Sequence, residues 1–254
     1  MTDIRATMRE LASDRRSGAA EIAERAAEAL RAVSPNELQG ALAALLDGHP
    51  SMAPLWRLAS VVMSAPSPSA GASLFLEALG EDRRGPATLA PVLPERIVTI
   101  SWSSGVVETI RLRRPATVLC MVSEPGGEGS RTARVLQEVT DARIVDDDEA
   151  IRDMPAEAVV VGADAVAPDH IVNKVKTRVL CEAACSRRIP VYAVGGGTKL
   201  VDVALPVSIP FERVPLDLLT AVVVGDALLD PEGVRVAARG SHLHRSLLGL
   251  LPGR

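Results

Sequence analysis

The sequence predicts an α/β protein, with an all-helical N-terminal domain followed by a Rossmann-like domain built on a mainly parallel sheet. Three observations predict it. Over roughly the first 80 residues, apolar side chains recur at helical spacing in alanine-rich segments. From Arg96 onward, short β-branched runs alternate with helical stretches, the pattern of a right-handed parallel α/β sheet. Between the two, GEDRRGPATLAPVLPER is rich in Gly, Pro and charge and marks a boundary. The expected organisation is a helical domain over 1–82, a linker over 83–95 and a Rossmann-like domain over 96–254.

In the helical part, Ile4, Met8 and Leu11 share one helix face. Asp14 to Gly18 break the pattern before AAEIAERAAEALRAV resumes it. Ser34-Pro35-Asn36-Glu37 reads as a cap with proline at the first helical position, launching ELQGALAALL. Gly48-His49-Pro50-Ser51 closes that helix and starts MAPLWRLASVVM, and ASLFLEALG follows up to Gly80. Beyond the boundary, RIVTI is a strand, SWSSG a turn, VVETIRL a helix and TVLCMV a second buried strand. SEPGGEGSRTARVLQEV is a Gly-rich loop feeding a helix; ARIVDDDEAIRDM, the strand at 159–162 and IPVYAVG complete the alternation.

Composition excludes several classes of function. With 47% apolar and 24% charged residues, the 254-residue chain is globular and long enough to bury a core. Trp56, Trp102, Phe75, Phe211 and Tyr192 are its aromatic residues, too few for a base-stacking platform, and a net charge of -4 lacks the basic footprint of a nucleic-acid binder. No apolar run reaches membrane-spanning length and no signal peptide is visible, so no membrane partner is expected. Cys120, Cys181 and Cys185 are odd in number, which fits a reducing cytoplasm; Cys181 and Cys185 are expected to pack in the core.

The stretch VVVGADAVAPDHIVNK carries the most chemistry. A buried parallel strand ends at a glycine and delivers Asp164 to the sheet edge, where ligands of open α/β sheets sit; the alternative is that Asp164 caps the next turn. Three strand-to-helix junctions gather small polar residues: Ser101, Ser103 and Ser104; Gly129, Ser130 and Arg131; and Asp164 with Asn173 and Lys174. Helix N-termini present unpaired N–H groups, so such loops can cradle an anion, although a Gly-rich turn can equally be only a turn. Lys174 can pair with a phosphate and Asn173 can bond a hydroxyl, or Asn173 can simply cap a helix. No cofactor is expected, because GGEGSR is neither a dinucleotide fingerprint nor a P-loop and Gly195-Gly196-Gly197-Thr198-Lys199 lacks the upstream glycine. Nor is a metal: Asp146-Asp147-Asp148 reads as a turn opening an acid-rich helix, and among the histidines only His170, beside the Asp164 loop, is a candidate.

VGADAVAPDHIVNKVKT resembles the Gly-Ala-Asp…Asn-Lys-x-Gly-Thr signature of the superfamily of methylthioribose-1-phosphate isomerase, ribose-1,5-bisphosphate isomerase and the alpha, beta and delta regulatory subunits of eukaryotic translation initiation factor two-B. DRRSGAAEIAERAAEAL, HPSMAPL, RIVTISWSS, EPGGEGSRTARVL, IPVYAV and FERVPLDLLTAVVV agree in order and span most of the chain. The resemblance implies a helical domain, a Rossmann-like domain and dimerisation through the latter. It places the isomerase aspartate at Asp164 and the phosphate and hydroxyl contacts at Gly129 to Arg131 and Asn173-Lys174. The family's catalytic cysteine falls at Ser101, whose hydroxyl does not ionise near neutral pH without a base beside it. Arginines are also lost: Val122-Ser123-Glu124-Pro125 puts a carboxylate where the family has an anion-binding guanidinium, and His49-Pro50-Ser51 replaces Arg-Pro-Thr. Asn173-Lys174-Val175-Lys176-Thr177 loses its glycine, with Lys176 able to restore charge, whereas Glu124 facing a phosphate would repel it. The expected function is binding of a phosphorylated sugar or nucleotide without cysteine-dependent chemistry. The alternative is an active aldose–ketose isomerase with Asp164 as proton donor and acceptor and Ser101 in support.

Overall fold

The structure, a computed structural model, describes residues 4–251; the outer ends of the two expected domains lie outside the described residues. Five helices form the N-terminal layer: α1 (Ile4–Ser13), α2 (Ala19–Leu30), α3 (Pro35–Gly48), α4 (Ala53–Ser64) and α5 (Pro68–Asp82). Their buried faces are mostly alanine and leucine, and the small side chains let the axes approach closely; a Cβ on Gly71 of α5 would lie 2.5 Å from the Val62 Cα of α4. Pro35 occupies the first turn of α3 behind Ser34, as expected, but the Ser34 hydroxyl donates to Glu37 at 2.6 Å instead of capping the backbone.

The stretch at 83–95 differs from a plain linker. It forms α6 (Gly85–Leu89) and a 3-10 turn, and Leu89 and Leu93 are buried against one face of the sheet with Ile97 and Val107. The sheet follows: β1 (Arg96–Ile100), α7 (Ser104–Arg113), β2 (Thr117–Met121), α8 (Glu128–Leu136), β3 (Asp141–Val145), α9 (Asp147–Asp153) and β4 (Ala158–Gly162). A hairpin of β5 (Ala165–Val166) and β6 (His170–Lys174) precedes α10 (Thr177–Ser186) and β7 (Val191–Val194). The chain ends with β8 (Phe211–Pro215), β9 (Ala221–Val224), β10 (Ala227–Leu229), α11 (Pro231–Arg239) and α12 (Arg245–Leu248).

The seven-stranded sheet has the order β10-β9-β7-β4-β1-β2-β3, parallel throughout except for β10. Strands from β1 to β3 progress one way, and β4 returns to the other side of β1, so the loops after β1 and β4 diverge and open a crevice. Val98, Ile100, Val159 and Val161 fill one face of the sheet, Ile97, Val118 and Val160 the other; both are covered, which is why the strands read as continuous apolar runs. A second, three-stranded antiparallel sheet, β5-β6-β8, packs Ala165 and Val172 onto the helical layer. Leu243, Leu247 and Leu251 return to that same helical core. The sequence expectation that 164–174 is a strand-to-helix junction, with a helix starting at Asn173, is corrected here. Asn173 and Lys174 lie in β6, opposite Glu212 and Phe211, because His170-Ile171-Val172 has the apolar β-branched character of a strand. Cys181 is buried as expected, but Cys185 is exposed, since α10 turns that face outward.

Candidate functional site

The crevice between β1 and β4 is roofed by the helical layer, leaving a cavity of 370 Å³. Its floor carries Ser101 and Trp102 after β1, Asp164 after β4 and Lys174 at the end of β6. Its roof is the α1–α2 loop and the turn between α3 and α4; one wall is Ser208 to Phe211.

Asp164 is held by its backbone on both sides. Its N–H donates to Val172 at 2.7 Å, and its carbonyl accepts from Ala53 N–H, the start of α4, at 2.8 Å. The carboxylate faces the cavity and has no hydrogen-bond donor among the described residues. Burial pushes its carboxyl up to about 6, against the pull of Lys199 and Lys174. The turn-capping alternative does not apply to this side chain.

Ser101 takes a left-handed conformation, φ 67°, costly for a residue with a Cβ. Two bonds hold it there: its N–H donates to Ser123 Oγ at 2.7 Å and its carbonyl accepts from Thr132 Oγ1 at 2.9 Å. Among the described residues nothing hydrogen-bonds its hydroxyl, so no base activates it. The buried Cys120 is no substitute thiol, since burial pushes it up to about 12.

Lys174 is 3% exposed and donates to Glu128 at 2.5 Å and to the Pro125 carbonyl. The carboxylate that meets the cavity is therefore Glu128 and not Glu124, whose orientation the sequence leaves open. Glu124 is exposed and lies off the cavity, because Asp147 accepts from the Ser123 and Glu124 N–H groups and turns that segment outward. Glu128, four residues on and one helical turn inward, enters the cavity and partly neutralises Lys174. Lys176 likewise pairs outside the cavity with Asp147, at 3.2 Å.

The other expected ligand contacts fall off the lining. Ser103 caps α7 by accepting from Val106 N–H, and Ser104 is exposed on a neighbouring cavity. Gly129 lets α8 approach β2, where an added Cβ would lie 1.7 Å from the Met121 carbonyl oxygen; Ser130 N–H closes the Gly127 turn. Arg131 stacks on Trp102 at 3.5 Å and donates to the Arg16 carbonyl at 3.0 Å, so it clamps the helical layer to the sheet. Asn173 is buried and donates to Thr177 at 3.2 Å. His170 shares β6 but bonds Asp169 and is not part of the cavity.

The structure brings in groups that sequence reasoning missed. Arg15 and Arg16 line the roof, next to the start of α2, whose N-cap Gly18 also lines the cavity and offers no capping side chain. Asp14, beside them, is engaged: burial pushes its carboxyl up, but N–H bonds from Ser17 and Arg16 outweigh this and hold it at about 2. Trp102 Nε1 and Glu128 Oε2 are buried without partners. The break at DRRSG was the available signal for the roof; nothing local marked Glu128. Among the described residues no cluster of three or more His, Cys, Asp or Glu can hold a metal ion, and no helix is long and apolar enough to cross a membrane.

A helical cap closing a cavity over the switch point of this strand order defines a Rossmann-like α/β protein with an all-helical N-terminal layer. The chain belongs to the initiation factor 2 subunit family, whose model matches residues 93–224. Among solved structures it is similar to the translation initiation factor eIF-2B of Pyrococcus horikoshii OT3, at 22% identity and a TM-score of 0.79 over 91% of this chain and 98% of that one. The tetrameric eIF2B-beta2-delta2 complex from C. thermophilum matches at 14% identity, TM-score 0.70, with 92% of each chain covered. The 5-methylthioribose 1-phosphate isomerase of Pyrococcus horikoshii OT3 matches at 15% identity, TM-score 0.68, over 94% of this chain and 87% of that one. These similarities establish the fold shared with both kinds of protein. No curated protein sequence matches the chain significantly.

Proposed function

We propose that the chain binds a phosphorylated sugar or nucleotide in this cavity without cysteine-dependent isomerase chemistry. The observation that carries the reading is Asp164, a sheltered carboxylate with no donor of its own among the described residues, facing the cavity. A ligand hydroxyl would donate to Asp164, and an anionic group would lie toward Arg15, Arg16 and the start of α2. Trp102 and Phe211 supply apolar surface. The unassisted Ser101 hydroxyl is what sets the chain apart from a cysteine-using isomerase.

One observation favours the second reading, an aldose–ketose isomerase. A carboxyl pushed up to about 6 can hold and release a proton near neutral pH, as carbon-to-carbon proton transfer requires. Thermal unfolding with a panel of pentose phosphates and nucleoside monophosphates tests the first; a ligand at a hundred times its Kd adds about 2.7 kcal/mol. Turnover of any aldose phosphate, abolished in Asp164→Asn, establishes the second. A result with neither stabilisation by any of the panel nor turnover would overturn both.

The reading includes a homodimer through the C-terminal domain, where Leu112, Ile144, Val179 and Val236 leave apolar surface exposed, and a reducing cytoplasm, in keeping with three free cysteines. Light scattering tests the dimer.

A further inference from the structure

We infer that the Glu128–Lys174 pair is a charge filter at the sheet end of the cavity, limiting the ligand to one anionic group: a monophosphate seated against the helical roof, and not a bisphosphate. The inference rests on the reading of this cavity as a sugar-phosphate or nucleotide site.

Two features could hold an anion at the sheet end, Lys174 and the glycine-rich start of α8, and the chain answers both itself. Lys174 lies opposite Phe211 at the end of β6 and is 3% exposed. Of the three N–H groups of its ammonium, one goes to Glu128 Oε1 at 2.5 Å and another to the Pro125 carbonyl. Glu128 is the first residue of α8, behind Gly127 at φ 69°. Gly126, at φ 118°, makes room for it: a Cβ there would lie 2.6 Å from Glu128 Oε1, the oxygen that Lys174 holds. Pro125-Gly126-Gly127-Glu128 thus folds its own carboxylate onto the lysine. The backbone donors of the same turn are engaged as well. Gly127 N–H donates to the Ser123 carbonyl at 3.2 Å, Gly129 N–H to the Val122 carbonyl at 3.2 Å and Ser130 N–H to the Gly127 carbonyl at 3.1 Å. A phosphate brought to this end meets a fixed carboxylate where it needs a counter-charge, with Asp164 on the same cavity.

The roof is the opposite case. Arg16 is exposed on the cavity lining, and its guanidinium makes no hydrogen bond or ion pair among the described residues. Arg15 donates to the Ala12 carbonyl at 2.7 Å and the Asp14 carbonyl at 3.2 Å, and has no carboxylate partner among them. Asp14 is paired with Arg25 at 3.2 Å, which leaves Asp47 as the unpaired acid of the roof. Two arginines against one such acid leave charge for a single anion. The cavity therefore offers uncancelled positive charge at the roof, and carboxylates that accept from hydroxyls at the sheet end.

The test is titration calorimetry of the full chain with matched ligand pairs, a pentose monophosphate against the pentose bisphosphate and a nucleoside monophosphate against the nucleoside bisphosphate. The native protein is expected to bind the monophosphate of a pair about tenfold more tightly. Glu128→Gln, which keeps the shape and a carbonyl acceptor for Lys174, is expected to tighten the bisphosphate by about tenfold and to change the monophosphate less. A native protein that binds both members of a pair equally, or favours the bisphosphate, overturns the filter, as does a preference that Glu128→Gln leaves intact. Should Glu128→Gln not fold, the native comparison decides alone, with the lack of a preference overturning the inference. If no member of either pair binds, the sugar-phosphate reading fails by itself, and inorganic phosphate followed by phosphorus-31 NMR reads the filter. Glu128→Gln is then expected to bind phosphate about tenfold more tightly than the native protein, and the double variant with Lys174→Gln to lose that gain. Equal phosphate affinity in the native protein and Glu128→Gln overturns the inference.

Discussion

Asp164 and Asp82 both sit where the helical layer meets the carboxyl ends of the strands, and their environments are opposite. Asp82 accepts three hydrogen bonds from one short loop. The Asp164 carboxylate accepts none among the described residues, and burial pushes it up to about 6. Two carboxylates of one interface thus differ in their surroundings: the saturated one joins the layers, and the unpaired one faces the cavity. The comparison makes predictions of opposite sign.

The largest effect belongs to Asp82. Asp82→Ala leaves the Gly197 and Thr198 donors without an acceptor at a partly buried junction. A loss of about 3–4 kcal/mol in urea unfolding is expected. A loss within 1 kcal/mol, on the order of an ordinary surface substitution, would break the comparison by showing that the loop holds itself.

Asp164→Asn runs the other way. A carboxyl whose folded midpoint, about 6, lies above its ordinary 3.8 binds its proton more tightly when folded. Its contribution to stability is fully present below the ordinary value and is lost as pH rises through the folded midpoint. Replacing it with a neutral amide is therefore expected to stabilise the protein by up to about 3 kcal/mol at pH 8 and to do little near pH 4. Unfolding curves at the two pH values check it; destabilisation at pH 8 would mean that Asp164 has found a donor and is structural after all.

How much of this was legible beforehand depends on the range of the contact. Sheet strands announced themselves because both faces are covered, making Ile97 to Ile100 and Val159 to Val161 nearly continuous apolar runs. Asp164 was legible for the same reason, as the first carboxylate past such a run. The hairpin was not: β5 is two residues long, and Asn173-Lys174 reads equally as a helix start until Glu212 and Phe211 pair with it. Glu128 and Glu124 could not be ranked without knowing that Asp147, 23 residues later, turns the Glu124 backbone outward. Least legible was Asp82, whose partners are 115 and 116 residues away and whose local sequence looks like a frayed helix end.

Arg131 offers a middle test. It ties the layers as Asp82 does, but on the surface, through Trp102, the Arg16 carbonyl and a 3.6 Å ion pair with Glu21. Arg131→Ala is expected to cost about 1–2 kcal/mol in urea unfolding, part of it salt-insensitive because the ring contact is not an ion pair.

Arg16→Ala should have the smallest effect on stability and the clearest one on ligand affinity. The side chain is exposed on the roof and holds nothing in place, so unfolding should shift by less than about 0.5 kcal/mol. An anionic ligand group seated near the start of α2 loses one guanidinium, which at a solvent-accessible rim is worth about 1 kcal/mol, or roughly fivefold in Kd. The loss should shrink as salt rises from about 50 to about 300 mM, because a rim contact about one Debye length or less from bulk is screened. Titration calorimetry at the two salt concentrations separates the cases. An affinity that Arg16→Ala leaves untouched at low salt would move the anion away from the start of α2.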